Sequence, residues 1–210
     1  MLKKIKEVLN RAGNRESFFN IIATIYPTLD WRYKVIEKAY NEAKKAFQGK
    51  ERVSGERYFE HLRAVALIVI LYLRIRDYRL IAAALLHDIV EDCEDWTIER
   101  VVQEFGEEIA KIVEWMTKPK ETFPQSEDYI RVYHERFAVA PRKFFLIKMS
   151  DRLHNLLTIW PLGPEHIRKK ITETKRYYLR YAEEHFILIH ELEAALEELE
   201  ERRLTQRENK

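Results

Sequence analysis

The stretch Ala82-Ala83-Ala84-Leu85-Leu86-His87-Asp88-Ile89-Val90-Glu91-Asp92 sets four titratable side chains in six positions behind an apolar run. Its pattern predicts one helix from Asp77 to about Asp92, with Leu80, Ala83, Ala84 and Leu85 packed inward. Residues four apart share a helix face, so His87 is expected beside Glu91 and Asp88 beside Asp92. Three carboxylates and an imidazole on one surface repel unless a cation lies among them, and a divalent metal fits that need. The competing reading is a solvated acidic helix end. Two further apolar segments decide against it. Tyr58 to Arg74 reads as a core helix with His61 near its start, and a helix over 141–159 carries Asp151 in IKMSDRLHN.

The rest of the chain also reads as helix. Residues 1–12 form an amphipathic segment stopped at Gly13, and a second apolar stretch, Phe18 to Tyr26, ends before Pro27. Asp30 caps a helix that runs to Gly49, followed by a polar loop from Gln48 to Glu56. Thr97 caps a short helix through Glu104, and another follows Gly106 to about Thr117. Residues 118–126, with two prolines, are expected to form a mobile loop before a helix over 127–138. From Ile167 to Leu199 apolar residues recur at three and four or their sums, which predicts one long helix or two broken near 185.

Composition agrees with an all-α bundle: 46% hydrophobic and 34% charged residues, with 5 Gly and 6 Pro in 210 residues. The expected organisation is an N-terminal helical extension at 1–30, a main domain at 31–185 and a C-terminal helical extension at 186–210. A net charge of +2 leaves no single-sign field to hold a nucleic-acid backbone, so no nucleic-acid partner is expected. The single cysteine, Cys93, forbids an internal disulfide and a Cys-based zinc cluster, which suits a reducing, cytoplasmic setting. No membrane association is expected, because the longest apolar run, Ala64 to Leu73, is short of the roughly 20 residues needed to span a bilayer. The N-terminal and C-terminal helices are candidates for homo-oligomer contacts.

His61, His87-Asp88 and Asp151 together make the pattern H…HD…D, which resembles the HD phosphohydrolase superfamily. The resemblance implies a helical fold in which these four residues bind a divalent metal. Arg52-Val53-Ser54-Gly55-Glu56, Tyr58-Phe59-Glu60-His61, AAALLHDIVED, FGEEIAKIVEWMTK and LIKMSDRLHNLLT follow, in order, the hydrolase domain of RelA/SpoT-type alarmone enzymes. That likeness covers roughly residues 40–185. It implies a small hydrolase that removes the 3′-pyrophosphate of guanosine tetra- and pentaphosphate with Mn²⁺.

Carried over residue by residue, it places Glu91 and Asp92 at the attacking water and Arg52 against the guanine, with Ser54 beside it. Asn155 and Thr158 would face the nucleoside, and Tyr178 the sugar and phosphates. Lys148, Lys118 and Arg152 are candidates to offset phosphate charge, Arg152 more as a structural residue. The chain departs from the family at Leu62, where a proline is usual, at Val53, where a basic residue is usual, and at Phe47, which replaces a common histidine. Val53 keeps other substrates open: an adenine alarmone, or the 2′-phosphate of NADPH. A catalytically silent nucleotide-binding module is the alternative from another class. Cys93, beside anionic neighbours, is expected to be inert. Trp115, Trp160, Tyr177 and Tyr181 are expected in packing, and His134, His166, His185 and His190 on the surface.

Overall fold

In the computed structural model, which describes residues 2–10, 13–118 and 127–208, thirteen α-helices follow one another among the described residues. They are α1 (Leu2–Asn10), α2 (Arg15–Ala23), α3 (Trp31–Ala46), α4 (Tyr58–Leu67), α5 (Tyr78–Leu86), α6 (Ile89–Asp92), α7 (Ile98–Phe105), α8 (Glu107–Met116), α9 (Glu127–Glu135), α10 (Arg142–Thr158), α11 (Pro164–Glu173), α12 (Leu179–His185) and α13 (Ile189–Glu208). The described residues contain no strand, only an isolated bridge between Glu51 and Arg57 that closes the loop ahead of α4. The all-α expectation holds. Residues 119–126, most of the expected mobile loop, lie outside the described residues.

Polar caps start the helices where the sequence puts them. Asp30, Asp77 and Thr97 accept backbone N–H groups of Arg32, Arg79 and Arg100, which satisfies donors that the first turn leaves unpaired. Asn14 and Ser17 form a reciprocal capping box at α2.

α5 is the central element. Every residue from Leu80 to Leu86 is buried, and the helix packs against α3, α4 and α8. A helix apolar all round can only be stable inside a bundle, and this one ends at His87 and Asp88. α10 is the second central element, with Phe144 to His154 buried throughout, lying against α4, α8, α12 and α13. One continuous core extends from Ile5 in α1 to Leu199 in α13. Among the described residues no helix is long and apolar enough to cross a membrane.

Three departures have local causes. α4 passes into a π turn over Ile68–Tyr72, where Leu73 N–H bonds Ile68 C=O at 2.9 Å, so the helix expected to Arg74 is α only to Leu67. The C-terminal segment breaks near 185 as expected, at Phe186 and Leu188, both left-handed at φ 56° and 54°, but a π turn over Thr174–Tyr178 also separates α11 from α12. α13 thereby turns back so that Leu192, Ala195, Leu196 and Leu199 are covered within the chain, chiefly by α10.

The third departure is at the site itself. The helix expected from Asp77 to Asp92 stops at Leu86, and Asp88 adopts φ −104°, ψ 3° before α6 begins. His87 Nδ1 lies 2.9 Å from the Ala84 carbonyl, the acceptor that a continued helix would offer to the backbone of Asp88.

Candidate metal centre

The break between α5 and α6 is what lets His87 and Asp88 aim at one point. Successive side chains on an unbroken α-helix diverge by about 100°. Here His87 Nε2 and Asp88 Oδ2 are 3.2 Å apart. α4 brings His61 to the same place, its Nε2 lying 3.8 Å from Asp88 Oδ2. α10 supplies Asp151, whose Oδ1 lies 3.3 Å from His61 Nε2 and 3.9 Å from His87 Nε2. Ligand atoms of His61, His87 and Asp88 all fall within 4.8 Å of one another, a spacing that a single ion can bridge. The four residues predicted as ligands thus converge from three separated segments.

The chemistry of this pocket asks for a cation. His87 Nε2 is buried and makes no hydrogen bond of sound geometry, although Asp88 Oδ2 lies 3.2 Å away, so a proton or a metal ion must satisfy it. His87 Nδ1 meets the Ala84 carbonyl, which fixes the tautomer with Nε2 as the free donor atom. Burial alone would lower the His87 pKa, but the Asp88 and Asp151 charges outweigh it and push it up to about 9. Burial opposes ionisation of Asp88 too, yet His87 and His61 bring its pKa below the ordinary carboxylate range. Asp151, buried likewise, is held well below that range by Lys148 and His61. Without metal, a proton on His87 stands where a divalent ion would supply the positive charge. The donor set of two imidazoles and two carboxylates fits such an ion.

These residues are held by neighbours, of which Tyr58 and His154 carry no assignment from the sequence. Tyr58, stacked on Phe47 at 4.7 Å between ring centroids, donates its hydroxyl to Asp88 Oδ2 at 2.9 Å. Burial, then the Asp88 and Asp92 charges, drive the Tyr58 pKa up, so the hydroxyl remains a donor. His154 meets His61 through an Nδ1 to Nδ1 contact of 2.8 Å. Burial lowers the pKa of both rings, so two neutral imidazoles share one proton across that contact. Lys148 donates to Asp151 Oδ2 at 3.3 Å, and Asn155 Nδ2 to Asp151 Oδ1 at 2.5 Å. The signals for Tyr58 and His154 were their spacings, three residues before His61 and three after Asp151, within blocks already quoted.

Glu91 and Asp92 do not form the bare anionic surface expected of a continuous helix. Lys118 Nζ donates to Glu91 Oε1 at 2.5 Å, and the Lys118 backbone N–H to Oε2 at 3.3 Å. Burial followed by the Asp88 and Glu91 charges raises the Asp92 pKa. Of the residues predicted to face substrate, three are joined directly. Arg52 donates to Thr158 Oγ1 at 2.8 Å and to Asn155 Oδ1. Ser54 Oγ is buried without a partner in the same loop.

Tyr178 sits deeper. It is 1% exposed, with the Arg152 guanidinium 3.7 Å over its ring, and its charge environment is set by burial, then Arg152 and Lys148. Arg152 forms a two-point ion pair with Glu173 at 2.9 and 3.0 Å, in keeping with a structural role. His134, expected on the surface, is buried and stacked on Tyr177 at 4.1 Å. It belongs to a helix whose apolar face includes Tyr129 and Tyr133, which a search for ligand spacing overlooks. Cys93 is buried and its thiol pKa is pushed up by burial, which leaves it a poor nucleophile.

Comparison with known proteins places this geometry. The bifunctional (p)ppGpp synthase/hydrolase SpoT of Escherichia coli is 34% identical over 192 residues, covering 88% of this chain and 26% of SpoT. A guanosine-3′,5′-bis(diphosphate) 3′-pyrophosphohydrolase of Aquifex aeolicus is 39% identical over 147 residues, 68% of this chain and 20% of that protein. The chain therefore spans about a quarter or less of the length of these curated relatives. A solved structure, described as a metazoan ortholog of SpoT that hydrolyzes ppGpp and plays a role in starvation responses, superposes with a TM-score of 0.67. It shares 23% identity, over 80% of this chain and 95% of that one, and so shows the same fold. The family model for the HD domain matches residues 39–184, which include all four convergent side chains, and the chain belongs to the HD domain family.

Proposed function

We propose that this chain hydrolyses the 3′-pyrophosphate of guanosine tetra- and pentaphosphate, releasing pyrophosphate and GDP or GTP. The observation that carries the proposal is the convergence of His61, His87, Asp88 and Asp151 around one buried, unpartnered imidazole nitrogen. The names of the relatives supply the substrate: several are guanosine-3′,5′-bis(diphosphate) 3′-pyrophosphohydrolases.

His61, His87, Asp88 and Asp151 would hold the ion, with Mn²⁺ the proposed metal. A bound divalent cation acidifies water and offsets phosphate charge. The chain's own residues do the rest. Glu91, tethered by Lys118, orients the attacking water, and Asp92, whose raised pKa suits a base, takes its proton. Attack at phosphorus breaks the bond to the 3′-oxygen, which collects a proton as pyrophosphate departs. Arg52 offers a planar guanidinium face to the base, and Ser54, Asn155 and Thr158 line the nucleoside side. Tyr178, buried under Arg152, supports Lys148 and Arg152 from behind. A cytoplasmic setting and a nucleotide partner, with no nucleic acid and with homo-oligomer contacts open to the terminal helices, complete the proposal.

Purified protein with Mn²⁺ and guanosine tetraphosphate should release pyrophosphate and GDP in equal amounts, and chelation should stop it. Release of single phosphate, or preference for an adenine alarmone or NADPH in the same panel, would replace the substrate. Nucleotide binding without turnover under any divalent metal would leave a silent binding module.

A further inference from the structure

Arg52 and Asp151 belong to different parts of the fold, yet one side chain connects them. The Arg52 guanidinium donates to Oδ1 of Asn155. The other end of the same amide, Nδ2, donates to Oδ1 of Asp151 at 2.5 Å. That oxygen is the one turned toward His61 Nε2 and His87 Nε2. Asp151 and Asn155 are four residues apart on α10, so they share a face, and Arg52 reaches them from the loop ahead of α4.

The amide suits this position. A carboxamide accepts from a cation at one end while donating to an anion at the other. A carboxylate there would face Asp151 with like charge, and a hydroxyl is too short to reach both. The amide is also planar, so fixing its oxygen on Arg52 fixes the nitrogen that orients Asp151.

We infer that Asn155 is a positioning residue coupling the nucleotide-reading Arg52 to the metal carboxylate Asp151, so that metal affinity and nucleotide engagement are linked through its amide. The inference rests on the metal-centre reading above. A base held on Arg52 keeps Asn155 turned toward Asp151, and by reciprocity a metal on Asp151 favours the same arrangement of Arg52.

The test is a double-mutant cycle read on Mn²⁺ binding, with free Mn²⁺ followed by electron paramagnetic resonance in nucleotide-free, full-length protein. Asn155→Ala should weaken Mn²⁺ binding about 10-fold, as loss of a partner to a ligand does. Arg52→Ala should weaken it at least about 3-fold, although Arg52 bonds to Asn155 and Thr158 rather than to the carboxylate. The double variant should bind no more weakly than Asn155→Ala alone. Arg52→Lys, which keeps a donor for Asn155 but lacks the planar face, should restore Mn²⁺ affinity and leave the nucleotide KM raised. Wild-type Mn²⁺ affinity in Arg52→Ala, or effects that multiply in the double variant, would overturn the coupling. The cycle needs no turnover. The predicted cycle in a protein that hydrolyses none of the nucleotides would support the coupling and sink the substrate assignment, whereas wild-type protein that binds no Mn²⁺ would overturn both.

Discussion

Replacing Tyr58 by Phe removes one oxygen and leaves the stacked ring on Phe47 in place, so its effect isolates the hydroxyl. That hydroxyl donates to Asp88 Oδ2 at 2.9 Å, the oxygen that lies 3.2 Å from His87 Nε2 and 3.8 Å from His61 Nε2. A hydrogen bond to a charged group contributes about 1.5–3 kcal/mol, so the metal-free variant should be less stable by that order. The more informative quantity is the metal-dependent increment. At a Mn²⁺ concentration 100 times its Kd, binding stabilises the wild type by about 2.7 kcal/mol. Loss of an outer partner weakens affinity by about 10-fold at the low end, which cuts the increment to about 1.4 kcal/mol at the same concentration. Urea unfolding of both proteins, with and without Mn²⁺, measures all four states. An increment equal to that of the wild type would show that the hydroxyl does not orient Asp88, and would refute this reasoning.

Glu91→Gln preserves shape and keeps one oxygen to accept from Lys118 but removes the charge. It should lower kcat by about 10²–10⁴ while Mn²⁺ affinity stays within about twofold; unchanged turnover would remove Glu91 from the reaction. The His87 pKa, pushed up from 6.5 to about 9, sets a sign for two pH profiles. Stability that the metal-free protein draws from the His87 proton is fully present below about pH 6.5 and is lost as pH rises through about 9. Metal must displace that proton, so Mn²⁺ affinity should rise over the same window with proton release on binding. Calorimetry in two buffers of different ionisation enthalpy checks this, and affinity that is flat between those values would contradict it. Ile81→Ala in α5, at a fully buried position, should cost about 2–5 kcal/mol in urea unfolding, and a cost under about 1 kcal/mol would show that α5 is not central to the core.

The fold was legible where one segment decides its own state. Asp30, Asp77 and Thr97 announce their helices because a cap acts on backbone within its own first turn. His61, His87, Asp88 and Asp151 stood out because titratable groups on otherwise apolar helices need a reason to be there. What escaped is what depends on distant parts of the chain. AAALLHDIVED carries the periodicity of an unbroken helix, and only the His87 ring on the Ala84 carbonyl, with His61 and Asp151 arriving from α4 and α10, accounts for the break. The Lys118–Glu91 pair joins residues 27 apart in sequence, so the expected bare carboxylate surface is already neutralised in part. His134 offered no partner at ligand spacing and was placed outside, although its neighbours Tyr133 and Phe137 carry it into the core. The break near 185 was legible but its left-handed backbone was not, because Phe186 and Leu188 rarely adopt that conformation and no glycine marks it.

Crystals grown with Mn²⁺ and measured at the manganese absorption edge test the metal assignment most directly. The account predicts one strong anomalous peak within coordination distance of His61, His87, Asp88 and Asp151. A peak elsewhere on the surface, or none at that point with Mn²⁺ in excess, would contradict it.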